Sequence, residues 1–330
     1  VTEGSDTINK NALIDRTGDR FRRSRELKAR LQQLVPGGGH TYAKGDDQYP
    51  QLAPGLMARG HGAQAVVPES GGYLSLHGIR KEYPGSGGQS TPVLSSIDFE
   101  MQTGEFVAFV GASGAGKTTL LKIIAGLLEP TAGRVQLQGR TIAGPPREMV
   151  YLSQQYSKSL LPWRTVLKNV EFPLEHRAGI SRAERRERAQ EALRGVGLAE
   201  AANRYPWQLS GGMQQRVTIA RALAARPSML LFDEAFSSVD ALTRMELQDL
   251  VLDTWQRYAL TILLVTHDID EAIYLSDRVA VLSRSPSRIV ETVTTGLSRP
   301  RAQIATRANP RFLELRNHLY ELVCRPAETP

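Results

Sequence analysis

Residues 106–121 read FVAFVGASGAGKTTLL. An apolar run leads into Gly111. Four residues separate it from Gly116, and Lys117 and Thr118 follow at once. Glycine-rich backbone at this spacing can curl so that several N–H groups point inward at phosphate oxygens. Ser113, Gly114 and Thr119 fall in the same cradle. The apolar residues Leu120, Leu121, Ile123 and Ile124 predict a helix, whose positive N-terminal end adds to the attraction. Lys117 would place a point charge between the β- and γ-phosphates, and Thr118 would offer its hydroxyl to Mg²⁺. Further on, residues 229–234 read MLLFDE. A buried strand that ends in a carboxylate beside a phosphate loop is where Mg²⁺ needs a second anchor, and Asp233 is the candidate. Glu234 comes one residue later, so its side chain points differently and could reach an attacking water. Each string alone has a bland reading: a chance glycine-rich turn, or an ordinary strand end. Together, each in its strand context, they predict a nucleotide site.

Residues 209–216 read LSGGMQQR and precede a helical run over 217–225. Ser210 is a good N-cap, and Gly211 and Gly212 permit close approach to a phosphate. The full string, placed between the phosphate loop and MLLFDE, resembles the signature motif of ABC-type ATPases. That resemblance implies a P-loop nucleoside-triphosphatase of the ABC cassette kind: an α/β fold with a RecA-like core, an antiparallel β subdomain and a helical signature subdomain. It also implies roles for further residues. Gln154 in YLSQQYSKSLLPW matches the family's Q-loop glutamine, in the Mg²⁺ and water shell; Gln155 is adjacent, and Gln154 is preferred because it directly follows the apolar strand. Ser237-Ser238-Val239-Asp240 looks like the D-loop. His267 in LLVTHDIDEA looks like the switch histidine on the γ-phosphate. Tyr83 in IRKEYPG matches the aromatic residue that stacks on adenine. The similarity covers about 73–297. The departures, Ala235 where importers of this group often carry proline and Ser238-Val239 in the D-loop, remove no catalytic group.

Within the family, SLLPWRTVLKNV (159–170) looks like the nitrate, sulfonate and taurine importer ATPases. The resemblance implies a homodimer that binds ATP and Mg²⁺, each site built from one chain's P-loop and the other's signature motif. It implies integral membrane permease subunits as partners, an extracytoplasmic solute-binding protein as an indirect one, and a peripheral place on the cytoplasmic face of the inner membrane. No nucleic acid is expected. Trp163, in that string, has two readings: an exposed anchor for a permease helix, or a core tryptophan. The rival function is a soluble ABC ATPase that acts on nucleic acid or ribosomes. Against it stand the single cassette, the lack of a cysteine cluster and the LLPW segment. A cassette that binds without hydrolysing is opposed by the intact Glu234 and His267.

These residues need a scaffold. Strand-like runs Phe106–Val110, Met229–Asp233 and Thr261–Thr266 alternate with helical stretches, which reads as a parallel α/β body. The expected division is 1–70, an extension; 71–297, the cassette; and 298–330, a tail with one helix near 310–323. In the extension, Leu27, Leu31, Leu34 and Val35 recur at helical spacing and predict an amphipathic helix over 19–35, stopped at Pro36. Residues 22–63 resemble the start of a glutamate-1-semialdehyde-type aminotransferase. The large domain and Schiff-base lysine of that family are missing, so no transaminase activity follows. Of the 330 residues 41% are hydrophobic, enough for a packed core. No apolar run reaches the length that spans a bilayer, and the polar start carries no secretory pattern. One cysteine, Cys324, allows no internal disulfide. The net charge of +7 gathers at 16–30, 182–188 and 299–316. Solvated helix faces explain it, as would attraction to anionic lipid or nucleic acid.

Overall fold

The computed structural model describes residues 72–85 and 89–324. The chain divides into two units, Val1–Val67 and Pro68–Pro330, and the described residues belong to the second. The expected helix over 19–35 and the aminotransferase-like segment 22–63 lie outside them.

Two sheets carry the fold. β1 (Leu74–Pro84), β2 (Ser90–Met101), β4 (Ala132–Leu137) and β5 (Arg140–Thr141) form a four-stranded antiparallel sheet in the order β2-β1-β4-β5. β3 (Phe106–Val110), β6 (Met149–Leu152), β7 (Met229–Asp233), β8 (Thr261–Thr266), β9 (Arg278–Leu282) and β10 (Ile289–Thr294) form a six-stranded sheet in the order β10-β9-β3-β8-β7-β6. Its neighbours pair in parallel, except the edge strand β10, which runs antiparallel to β9. The three strands read from the sequence have the predicted bounds. They are continuous apolar runs because both faces of a central parallel sheet are covered. The twofold alternation of side chains then divides each strand between two cores. Phe106, Ala108, Val110, Leu230, Phe232, Ile262 and Leu264 join one. Val107, Phe109, Met229, Leu231, Leu263 and Val265 join the other, which reaches into the antiparallel sheet through Leu74, Leu76, Ile79 and Ile97.

Helices follow the strands. α1 (Lys117–Ile124) leaves β3 through the glycine-rich loop. Between β6 and β7 lie α2 (Tyr156–Ser159), α3 (Val166–Glu171), α4 (Arg182–Gly195) and α5 (Gly211–Ala224). The last three pack on one another as a helical layer. Thr165, Ser181 and Ser210 each cap the helix after them by accepting a backbone N–H bond, a contribution of about 1 kcal/mol apiece. α6 (Ala241–Tyr258) is capped in the same way by Asp240, and α7 (Ile269–Leu275) by Asp268. α8 (Gln303–Arg307) and α9 (Pro310–Cys324) complete the described chain. α9 buries Phe312, Leu315, Leu319 and Leu322 along one face, the spacing of an amphipathic helix. Among the described residues no helix is long and apolar enough to cross a membrane.

Candidate functional site

The carboxyl ends of β3, β7 and β8 lie side by side, and the loops that leave them carry the sequence-predicted residues. In open α/β sheets this edge is where ligands bind. From β3 the chain enters Gly111, Ser113, Gly114 and Gly116. Gly116 sits at φ +75°, and a Cβ on it would approach Val93 Cγ1 to 2.8 Å. Only glycine serves there, because the conformation is left-handed and the space is taken by the antiparallel sheet. The loop is braced by Ser287, fully buried in the β9–β10 connection, whose hydroxyl donates to the Ala115 carbonyl. Thr118 and Thr119 open α1.

Lys117 is 5% exposed. Its Nζ donates to the Gly111 and Ala112 carbonyls at 2.9 and 3.1 Å and stands 3.7 Å from Glu234 Oε1. Burial pulls its ammonium below the ordinary value, and Glu234 and Asp233 oppose the shift. Asp233 ends β7 and is buried. Its Oδ1 accepts from the Thr118 hydroxyl at 2.9 Å and its Oδ2 from the Tyr151 hydroxyl at 2.6 Å. Burial first, and then the Asp233 carboxylate, raise the Tyr151 phenol.

Glu234 leaves the strand at φ +48°, an uncommon conformation for a residue with a Cβ. That turn aims the carboxylate away from Asp233 and into a ring of three side chains. Besides Lys117, Gln154 Nε2 donates to its Oε2 at 3.3 Å, and His267 Nδ1 lies 3.2 Å from the same oxygen. β6 delivers Gln154 and β8 delivers His267, so three loops meet on one carboxylate. The backbone holds the strained residue on both sides: Glu234 N–H bonds the Val265 carbonyl at 2.8 Å, and the Glu234 carbonyl accepts from the Ser237 hydroxyl at 2.9 Å.

The remaining predicted residues lie apart from this ring. Tyr83, 39% exposed, is near the end of β1 with Lys81 over its ring at 5.3 Å. Ser210 and Gly211 are exposed at the start of α5, and no hydrogen bond links them to the ring. Asp240 caps α6 through the Thr243 N–H at 3.0 Å, a bond that holds its pKa below the ordinary carboxylate value. Gly212 is placed differently from Ser210 and Gly211. It is buried, and a Cβ there would meet Thr243 Cγ2 at 2.3 Å. Its glycine is required by the packing of α5 on α6. Trp163 is 72% exposed, which settles its two readings against the core.

Sequence reasoning missed Tyr151, Ser287 and Gln215. Tyr151 stood inside the string quoted for the glutamine, and a polar-tipped aromatic near a strand end was the available signal. Gln215 stood inside the signature string. Ser287 gave no signal, since it meets the loop only through the folded β9–β10 connection.

A glycine-rich loop between strand and helix, with a strand-end Asp-Glu pair beside it, defines a P-loop nucleoside-triphosphatase. Comparison with known proteins narrows the class. The family described as ABC transporter matches residues 94–237. An uncharacterised ABC transporter ATP-binding protein of Methanocaldococcus jannaschii is 48% identical, over 72% of this chain and 86% of its own. The taurine import ATP-binding protein TauB of Pseudomonas entomophila is 44% identical, over 74% and 94%. Among solved structures, a dimeric ATP-binding cassette bound to ADP and Pi in a post-hydrolysis state is similar at TM-score 0.59 and 33% identity, over 67% of this chain and 98% of that one. The structure of cbiO1 of Clostridium perfringens, part of the ABC transporter complex cbiONQ, is similar at TM-score 0.61 and 25% identity, over 68% of this chain and 89% of that one. This chain belongs to the ATP-binding subunits of ABC transporters. It binds ATP and is an ATPase.

Proposed function

We propose that this chain drives an importer for a small anionic solute of the nitrate, sulfonate or taurine kind, working as a homodimer on the cytoplasmic face of the inner membrane. The observation that carries this reading is the 44% identity to a taurine import ATP-binding protein over 94% of that protein's length. The exposed Trp163, in the helical layer just after the Gln154 loop, supports docking on integral membrane permease subunits. An extracytoplasmic solute-binding protein would deliver the solute. Residues 71–297 form the cassette in this reading, with 1–70 and 298–330 as extensions.

At each site Lys117 and the N–H groups of 111–119 hold the phosphates, and Tyr83 stacks on adenine. The Thr118 hydroxyl and the Asp233 carboxylate are hard oxygen donors 2.9 Å apart, a set that fits Mg²⁺; Gln154 adds a carbonyl oxygen. When bound, Mg²⁺ neutralises charge on the phosphates. Glu234 takes a proton from the attacking water. His267 contacts the γ-phosphate and, with Gln154, orients the carboxylate of Glu234. Ser210, Gly211 and Gly212 of the partner close the site, with Asp240 beside them.

The test is ATP hydrolysis by this chain reconstituted in vesicles with its permease subunits. Addition of the cognate solute-binding protein with taurine, an alkyl sulfonate or nitrate is expected to raise the rate several-fold. Absence of stimulation by all three, in vesicles where another class of solute does stimulate, overturns the solute class.

A further inference from the structure

We infer that Gln215 is a positioning residue that ties Glu234 to the signature helix of its own chain, and through that tie couples the two nucleotide sites of the dimer. The inference rests on the shared-site reading above. In such a dimer, a chain's Glu234 serves the nucleotide on its own P-loop, while its Ser210 and Gly211 serve the nucleotide on the partner's. Whatever joins α5 to Glu234 inside one chain therefore joins the two sites.

Three contacts make that junction. Gln215 lies on α5 one turn after Ser210 and is 3% exposed, and its Nε2 donates to the Ala235 carbonyl. Ala235 directly follows Glu234, the residue at φ +48°. The bond holds the Ala235–Phe236 peptide, one residue beyond the left-handed Glu234, and so restrains the turn that directs the Glu234 side chain. On the far side, Val265 holds the Glu234 N–H at 2.8 Å. Glu234 is thus clamped between β8 and the signature helix. The other two contacts lie between α5 and α6: Gly212 against Thr243, with no room for a Cβ, and Arg216 Nη2 to Glu246 Oε2 at 2.8 Å. α5, the Glu234 turn and the start of α6 at Asp240 are registered to one another, so a displacement of the exposed Ser210 end reaches Ala235 through Gln215.

The chemistry of the position argues for a role beyond packing. Gln215 lies among Leu152, Ile219 and Phe232, with Ser153 and Thr218 nearby, and its Oε1 is buried with no hydrogen-bond partner. An unmatched buried carbonyl is destabilising. Leucine or methionine would fill the same space without that cost, so the amide is retained for its one bond to Ala235.

The experiment replaces Gln215 with Met in the full chain, and separately with Leu in case either variant fails to fold. A third variant, Gln215→His, retains a donor. Three quantities are read: affinity for a fluorescent ATP analogue, maximal ATPase rate, and the Hill coefficient of rate against ATP. The expected result for Met and Leu is affinity within about twofold of the parent, a rate about tenfold lower, and a Hill coefficient reduced from above 1 to 1. Gln215→His should recover part of both rate and Hill coefficient. A parental Hill coefficient in folded Met and Leu variants overturns the proposal. A loss of affinity and thermal stability in step with rate, with the Hill coefficient unchanged, also overturns it and leaves Gln215 a packing residue. A parental chain with a Hill coefficient of 1 and no ATP-stabilised dimer overturns the shared-site reading and this proposal with it.

Discussion

Glu271 is a buried acid that the chemistry of the site does not use, and replacing it with glutamine should make the protein more stable at neutral pH. It lies in the first turn of α7, 3% exposed. Its Oε1 accepts from Gln248 Nε2 at 3.2 Å. Burial is the main cause that lifts its carboxyl from the ordinary 4.5 to about 7; Asp268 adds to the lift, while bonds from Thr266 and Gln248 and the charge of Arg244 oppose it. The sign follows from linkage. Below pH 4.5 the carboxyl is protonated both folded and unfolded, and its contribution to stability is fully present. Between 4.5 and about 7 the unfolded chain ionises first, so stability is lost as pH rises. Above about 7 the loss is complete. At about 1.4 kcal/mol per pH unit that window corresponds to about 3 kcal/mol. Glu271→Gln keeps shape and hydrogen bonding and cannot ionise. The difference in unfolding free energy between variant and parent should therefore grow from pH 4.5 to 7, then level off with the variant about 3 kcal/mol the more stable relative to the low-pH difference. For a body of this size that is about 6–12 °C in midpoint. Urea unfolding of both proteins at pH 5, 6, 7 and 8 makes the comparison, and every other titrating group cancels in the difference. A difference that is flat across that range would refute the reasoning, since the carboxyl would then ionise alike in both states.

Four further outcomes are expected. Glu234→Gln should keep ATP binding, lose about 10²–10⁴ in hydrolysis rate and accumulate ATP-stabilised dimers; turnover at the parental rate would remove Glu234 from the role of base. Tyr151→Phe strips one of the two hydrogen bonds from Asp233 and, because a bond to a charged group contributes about 1.5–3 kcal/mol, should raise the Mg²⁺ needed for half-maximal nucleotide binding about tenfold, measured by titration of a fluorescent analogue; an unchanged titration leaves Tyr151 without influence on the carboxylate. A chain lacking residues 1–70 should keep its thermal shift on adding ATP and Mg²⁺, and loss of the shift in a soluble truncation would make the segment part of the cassette. Mixing a Lys117→Ala chain with a Ser210→Arg chain, both also carrying Glu234→Gln, should restore retention of one ATP per dimer, because the two lesions meet in one site and leave the other whole; filter binding that stays at the level of the separate mutants means that each chain builds its own site.

Much of this site was legible because its parts are local in sequence. The apolar runs before Gly111, Asp233 and His267 are strands that must be covered on both faces, and such strands read as unbroken hydrophobic stretches with sharp ends. Their ends are where the chemistry sits, so the bounds of β3, β7 and β8 and the placing of Lys117, Glu234 and His267 come from one signal. Gln154 was chosen over Gln155 because it directly follows a strand, and in the fold it is Gln154 that reaches Glu234. The cap at Ser210 was equally local. The tail helix, expected near 310–323, spans Pro310–Cys324, but the tail carries a second, short helix, Gln303–Arg307, that the sequence reading did not give.

What was hidden are partnerships between residues far apart in the chain. Tyr151 and Asp233 meet because β6 and β7 pair in parallel register, and Glu271 is buried because α6 closes over α7 through Gln248; no pattern within either segment encodes the meeting. Gly212 shows the same point from the other side. Beside Ser210 and Gly211 it reads as backbone freed to approach a phosphate. In the fold its missing Cβ makes room for Thr243, a residue that the Asp240 cap holds in place through its N–H. Gly212 thus lies beside the exposed Ser210 and Gly211 and also joins that surface to the start of α6. A Gly212→Ala change therefore strikes the joint between α5 and α6 before it strikes any ligand, although the sequence places it inside the ligand motif.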